Sequence, residues 1–410
     1  MKFDGIVVGG GPAGMFAAIT AAKNGARVLL LERNDRLGKK LLITGKGRCN
    51  VTNHCSWQEV MQNVPRNGRF LFSALESFPP EEIEKFFEEA GCPLKVERGN
   101  RVFPVSDKSQ SVLDALKNEL RKATVTVKTA RVKSLLTENG RITGVQTEAE
   151  TFFANWVILA TGGLSYPTTG STGDGYRMAE EVGHTVTALE GSLVPLRVEG
   201  PDCPGMQGLS LRNVAVKLLD GKGKTLYKDF GELLFTHFGL SGPTALSASA
   251  HLKGEGCQLV IDLKPALEEG KLNDRILRDL QMYQNRTMEN ALTDLLPRSM
   301  IPVVLRRTGI DSQLQANSLK KEQRRAIVNL LKNFSFPIFG KRPVEEAIIT
   351  SGGVKVGEVN PKTMESKKIS GLYFAGEILD CDAYTGGFNL QIAWATAYAA
   401  AMGATADYGL

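Results

Sequence analysis

The stretch FDGIVVGGGPAGMFAAITAAKNGARVLLLER, residues 3–33, holds four signals in register. An apolar run leads into Gly9, Gly11 and Gly14 in GxGxxG spacing, and an Ala-rich segment leads into a second apolar run, Arg27 to Leu31. Glu32 follows, eighteen residues after Gly14. A glycine triplet alone says little. Set between a strand and a helix, with an acid at this distance, it reads as the βαβ unit that holds the ADP half of a dinucleotide. Gly9 permits the tight turn, Gly11 lets backbone amides approach a pyrophosphate at the positive helix end, and Gly14 lets helix and strand pack closely. Pro12 and Ala13 open that helix, Glu32 accepts hydrogen bonds from a ribose, and Arg33 stands beside it.

The rest of the composition sets bounds. With 410 residues the chain has mass for two or three domains and a sizeable core. Its 43 glycines exceed the ~7% average and suit Gly-rich nucleotide loops. Six cysteines, at 49, 55, 92, 203, 257 and 381, are scattered without CxxC spacing, so neither a zinc site nor a disulfide scaffold is expected and no metal is assigned. No run reaches the ~18 apolar residues of a membrane span, and no signal-peptide pattern precedes the first strand, so a soluble cytoplasmic protein with no membrane partner is expected. The net charge of +6 permits an anionic ligand or nucleic acid without requiring either.

The fingerprint does not say which dinucleotide is bound. No second glycine fingerprint leads to a strand ending in an acid, so NAD(P)H has no dedicated domain. VTVKTARVKSLLTENGRITGVQTEAETFFANWVILATGG, residues 125–163, instead reads as alternating strands with an Asn139-Gly140 hairpin turn, closing on an apolar strand and a glycine pair. ISGLYFAGEILD, residues 369–380, is another apolar strand ending in Gly-Glu, followed by a glycine pair that opens an Ala-rich helix. Three separated glycine sites converge on one ligand.

GxGxxG with Glu32, ATGG at 160–163 and YFAGE at 373–377 resemble the three FAD motifs of glutathione-reductase-type flavoproteins. GRCNVTN (47–53), STGDGY (171–176), LFTHFGLSGP (234–243), SGGV (351–354) and GEILDCDAYTGGFN (376–389) are similar to the bacterial flavoprotein family of the aminoacetone oxidase and BaiN type. The resemblance covers nearly the whole chain. It implies FAD, an α/β fold and a discontinuous Rossmann-like FAD-binding domain, 1–190 and 350–410. It also implies an inserted β-rich domain, 191–265 and 334–349, and an inserted helical domain, 266–333. FAD contacts are then expected from Val132, Ala160, Thr161, Gly162, Gly376 and Glu377 besides the first fingerprint.

In flavoproteins of this type the loop TGKGRCNVTN, 44–53, passes beside the isoalloxazine. Disulfide reductases place a redox pair of cysteines there, but Cys55 is out of register with Cys49, so no dithiol exchange is expected. Gly45, Arg48, Cys49 and Asn50 are assigned to the cofactor. Arg48 is a cation beside the pyrophosphate or ribityl chain, and Cys49 is a small residue packed on the flavin. Lys46 departs from the small residue the family commonly has, and Lys40 is a further cation for the cofactor. TGGFN, 385–389, is the candidate helix N-terminus for the reduced ring: Gly386 and Gly387 allow close backbone approach, and Phe388 and Asn389 begin the helix.

No acid or base stands out as strongly. His237 and Tyr384 are the catalytic candidates, with Tyr166 and Asp174 as further residues that could face substrate. The expected activity is an FAD-dependent oxidoreductase acting on a small molecule at the interface of the FAD and inserted domains, with hydride passing through flavin N5. Its version as a small-amine oxidase uses O2; its alternative is an NAD(P)H-dependent reductase of an unsaturated substrate, with NAD(P)H a transient donor and an organic acceptor. The basic run LKKEQRR, 319–325, lacks interleaved aromatics, so nucleic acid is not the expected partner. A tRNA-binding or purely structural flavoprotein is the reading from another class.

Overall fold

The computed structural model describes residues 3–252 and 254–406. The chain divides into two compact units, 1–192 with 344–410, and 193–343.

The first unit is built on five parallel strands in the order Leu372–Phe374, Trp156–Leu159, Gly5–Val8, Val28–Glu32, Thr126–Thr129. The strands GIVV, VLLLE, WVIL and LYF are buried along their whole length. That is why they read as unbroken apolar runs rather than alternating ones: a parallel sheet is covered on both faces. The expected α/β class with a Rossmann-like sheet is what forms. The hairpin expected at Asn139-Gly140 pairs Val132–Glu138 with Arg141–Thr147, and both turn residues have positive φ, 50° and 74°.

Helix Pro12–Lys23 follows the first strand, with Gly11 as its N-cap and no side chain capping it. The helix Phe388–Ala406 packs along it, buried on nearly every side, and Trp394 meets Phe16 edge-on at 5.7 Å. Small residues on both helices are what let two backbones this apolar approach so closely. Gly14 serves a different contact, with the glycine turn before its helix: a Cβ there would lie 1.8 Å from the Gly9 carbonyl oxygen.

The second unit is a seven-stranded antiparallel sheet in the order Phe334–Pro337, Gln258–Asp262, Ser210–Leu219, Thr225–Thr236, Gly239–Ser241, Leu196–Arg197, Gly340–Lys341. Helices Glu269–Met282, Ile301–Thr308 and Lys321–Lys332 lie within the same unit, and one apolar core, including Val216, Phe235, Ile276, Val304 and Ile327, is shared by sheet and helices. Each helix has a clear apolar face, which is the periodicity that marks 266–333 as helical.

Candidate dinucleotide cofactor site

A cleft of about 1270 Å³, measured out to open solvent, runs across the carboxyl ends of the parallel strands in the first unit. Ligands of doubly wound sheets bind at that edge. Of the residues expected to hold cofactor, Gly9, Gly11, Pro12, Ala13, Glu32, Arg33, Lys40, Val132, Ala160, Thr161, Gly162, Gly376, Glu377 and Asn389 line it.

The glycine turn is shaped for a ligand. A Cβ on Gly9, whose φ is +107°, would sit 2.4 Å from the Ala160 carbonyl oxygen, while one on Gly11 would meet nothing within 4 Å. The first glycine is therefore needed by the fold, whereas the second keeps space open in front of the helix amides. Glu32 is 9% exposed and rigidly held: Oε2 accepts from the Gly10 amide at 2.7 Å, and Oε1 from the Asn34 amide and Nδ2 at 2.8 Å each. Thr161 Oγ1 is buried on the cleft wall without a hydrogen-bond partner. An open cradle at a helix N-terminus, a fixed carboxylate and an unsatisfied buried hydroxyl are what a dinucleotide would complete, so the residues present fit FAD.

Farther along the cleft, Lys40 Nζ donates to Glu377 Oε2 and to Ser165 Oγ, at 2.6 Å each. Glu377 Oε1 accepts from Ser165 Oγ and from the Thr350 amide, both at 3.0 Å. Thr350 Oγ1 in turn accepts the Leu164 amide at 2.7 Å. One network thus ties the helix Lys39–Ile43, the ATGG turn, the AGE turn and the strand Ile349–Ser351. Ser165, Thr350, Ile348 and Ile349 carry no motif, and the sequence reading missed them; Ser165, two residues beyond ATGG, had the nearest signal.

At the edge of the cleft Asp174 receives Arg131 Nε and Nη2 at 2.9 and 3.0 Å, with Arg33 Nη1 at 3.2 Å. Arg131 holds its carboxyl below the usual range. Asp174 is therefore neutralised by Arg131 with Arg33 beside it, and is no free acid for a substrate.

Several assigned residues lie elsewhere. Arg48 does not line the cleft: it pairs with Glu97 and with Asp107 (Nε to Oδ1 2.8 Å), and its guanidinium stacks 4.1 Å over Phe103. Its charge is neutralised locally, so it is not the pyrophosphate cation the sequence reading made it. Cys49 adopts φ +62° with its side chain wholly buried, and burial pushes its thiol far up. Lys46 is exposed, and Asn50 Oδ1 is buried without a partner. Gly45, Gly14 and Phe388 are outside the lining as well.

The pair Gly386-Gly387 has a different explanation from the one expected. A Cβ on Gly387 would lie 2.3 Å from the Thr52 carbonyl oxygen, and Asn53 Nδ2 donates to the Gly386 oxygen at 3.0 Å. The glycines admit the strand Thr52–Asn53. Asn389 reaches back to Ala383, Oδ1 accepting its amide and Nδ2 donating to its oxygen at 2.8 Å each. Tyr384, in the segment so pinned, is half-buried and its amide donates to the Asn63 oxygen at 3.0 Å. His237 belongs to the second unit, exposed in the turn after Thr225–Thr236, with its ring edge-on to Phe238.

A family model described as HI0933-like protein Rossmann domain matches residues 3–403. The chain is 34% identical to 3-dehydro-bile acid delta(4,6)-reductase of Clostridium scindens over 96% of its length and 97% of that protein's. It is 31% identical to ribosomal RNA dihydrouridine synthase of Escherichia coli over 98% of its length and 97% of that protein's. Among solved structures, 3-ketosteroid delta1-dehydrogenase from Sterolibacterium denitrificans superposes with a TM-score of 0.54 at 15% identity, covering 99% of this chain and 100% of that one, a likeness of fold.

Proposed function

The chain belongs to the HI0933-like Rossmann-domain family and is an FAD-dependent oxidoreductase, and from that premise we propose that it reduces a carbon–carbon double bond conjugated to a carbonyl, with NAD(P)H as electron donor. One observation carries the proposal. Two relatives matched over nearly the whole chain are named for a delta(4,6) 3-dehydro bile acid and for dihydrouridine, and both names describe reduction of an alkene activated by a neighbouring carbonyl. Such a bond accepts hydride at its far carbon because the charge is delocalised onto oxygen.

Bound FAD would supply the two-electron carrier between the nicotinamide and that carbon. The chain's part is to hold it. Amides at the first turn of Pro12–Lys23 would take the pyrophosphate, Glu32 the ribose, and the Thr161 hydroxyl and Lys40 the stretch beyond. The product also needs a proton on the carbon beside the carbonyl. Tyr384 is the candidate donor and His237 the competing one.

The acceptor is either a small enone, the reading closer to the reductase relative, or uracil within RNA. The small-amine oxidase keeps only the resemblance that suggested it. Turnover with NADPH deuterated at the transferable position tests the proposal: deuterium should appear in the saturated 3-oxo product formed from a 3-oxo-Δ4 steroid, or in dihydrouridine formed in an RNA substrate. An amine consumed without nicotinamide, with hydrogen peroxide released, would replace this reading by the oxidase.

A further inference from the structure

The charge of this protein is unevenly placed. Residues 193–343 hold 22 Lys and Arg against 15 Asp and Glu, a net of +7, while the whole chain is +6. The second unit therefore carries all of the excess, and the first unit is close to neutral.

Within the second unit the charge gathers on the long hairpin Ser210–Leu219 and Thr225–Thr236. Val214, Val216 and Leu218 point into the core, so Ala215 and Lys217 face outward. Lys217 stands directly opposite Lys228, and on its other side opposite Val260; Ala215 stands opposite Phe230. Both lysines are exposed, Phe230 is 57% exposed, and among the described residues neither lysine has a carboxylate partner. Like charges facing each other across strands destabilise a sheet, so folding does not account for the pair.

The hairpin's acids do little to offset it. Asp220 accepts the amides of Lys222 and Lys224 at 2.9 Å each and shapes the turn, leaving both lysine side chains exposed at the tip. Asp229 lies on the opposite face, held by the Tyr227 hydroxyl at 2.9 Å. Across the sheet, Asp262 is paired with Lys332. Glu232, half-buried two residues beyond Phe230, is the acid left on this face.

We propose that this outer face of the hairpin, Lys217 and Lys228 with Phe230 two residues along the strand from Lys228 and the exposed Lys222 and Lys224 at the tip, is a docking surface for single-stranded RNA. Paired cations spaced across two strands match a phosphate backbone, and an exposed aromatic ring on the same face offers a base a stacking platform. This deepens the uracil arm of the function proposed above, but its test does not depend on that chemistry.

The test uses the full FAD-loaded chain and a fluorescein-labelled, mixed-sequence single-stranded RNA, read by anisotropy across a salt series. Lys217→Glu converts the repulsive pair into an opposite-charge pair. It should leave the melting temperature equal or higher yet weaken RNA binding at least tenfold, a combination no structural role gives. Lys217→Glu with Lys228→Glu should flatten the slope of log affinity against log salt by about 1.4, two contacts at ~0.7 each. Phe230→Ala should weaken binding at least fivefold with the slope unchanged. Binding equal to wild type in all three variants would overturn the proposal. So would failure of the wild type to bind RNA at low salt, or binding of anionic vesicles but not RNA. A wild type that binds RNA but shows no reductase activity would instead count against the function proposed above.

Discussion

Lys40 Nζ and Glu377 Oε2 lie 2.6 Å apart in the cleft, although 337 residues separate them in the chain. Their side chains are 22% and 13% exposed, so the pair is sheltered without being fully desolvated. Removing one partner leaves the other's charge in a sheltered cleft with only the Ser165 hydroxyl and, for Glu377, the Thr350 amide, which costs more than the pair itself contributes. Lys40→Met and Glu377→Gln should each weaken FAD binding at least tenfold by flavin fluorescence titration. The double variant should lose clearly less than the sum of the two, the mark of direct coupling. Additive losses would mean the two residues act separately on the cofactor.

Two glycines three residues apart should behave in opposite ways. Gly11 has open space where a Cβ would go and a φ of −79°, whereas Gly14 has the Gly9 oxygen at 1.8 Å. Gly11→Ala should keep the melting temperature of the cofactor-free protein and lose FAD affinity. Gly14→Ala should lower that melting temperature by several degrees. Thermal scans of both apo variants decide it.

His184 should make the first unit acid-sensitive. Ser366 Oγ accepts the amides of Lys368 and Ile369 at 3.0 and 2.8 Å, so its proton goes to His184 Nε2 at 2.7 Å. Nδ1 then carries the ring proton and faces Glu358 at 3.3 Å, with Lys368 on the same carboxylate. Burial holds the imidazole below its usual 6.5. The unfolded chain binds this proton more readily, so stability is fully present above about pH 6.5 and falls as the pH drops toward the lower folded value. Burial pushes the Glu358 carboxyl up, but the Thr185 amide and hydroxyl and Lys368 outweigh it and hold it at about 2, so its contribution is lost only at lower pH. Urea unfolding between pH 7.5 and 5.5 should show a slope that His184→Gln removes.

The cysteines should be chemically quiet. Cys49 and Cys381 are buried with thiols pushed far up, and burial raises half-buried Cys55 to about 11. Thiolate is the reactive form, so the native protein should react slowly with a disulfide reagent at pH 8, and all six thiols should react after denaturation. Cys49→Ser should leave the rate of flavin reduction within twofold; loss of reduction would revive a dithiol mechanism.

Most of the parallel sheet and the glycine-turn end of the cleft were legible because their causes are local. The spacing of Gly9, Gly11, Gly14 and Glu32 is set by one strand–turn–helix–strand, and ATGG and AGE each end a buried apolar strand. What stayed hidden depends on distant partners. Nothing near Arg48 announces Glu97 and Asp107, 49 and 59 residues away, that neutralise it. Nor does TGGFN reveal that its glycines make room for Thr52. Ser165 and Thr350 join the site only because Glu377 gathers them.

The central claim is tested most directly by mixing the FAD-loaded protein with NADH or NADPH without oxygen, and then adding acceptor. The account expects the flavin absorbance to bleach with one of the nucleotides and to return on addition of a 3-oxo-Δ4 steroid or a uridine-containing RNA, with one acceptor reduced per flavin reoxidised. A flavin that stays oxidised with both nucleotides, yet bleaches with a small amine and yields hydrogen peroxide in air, would contradict it.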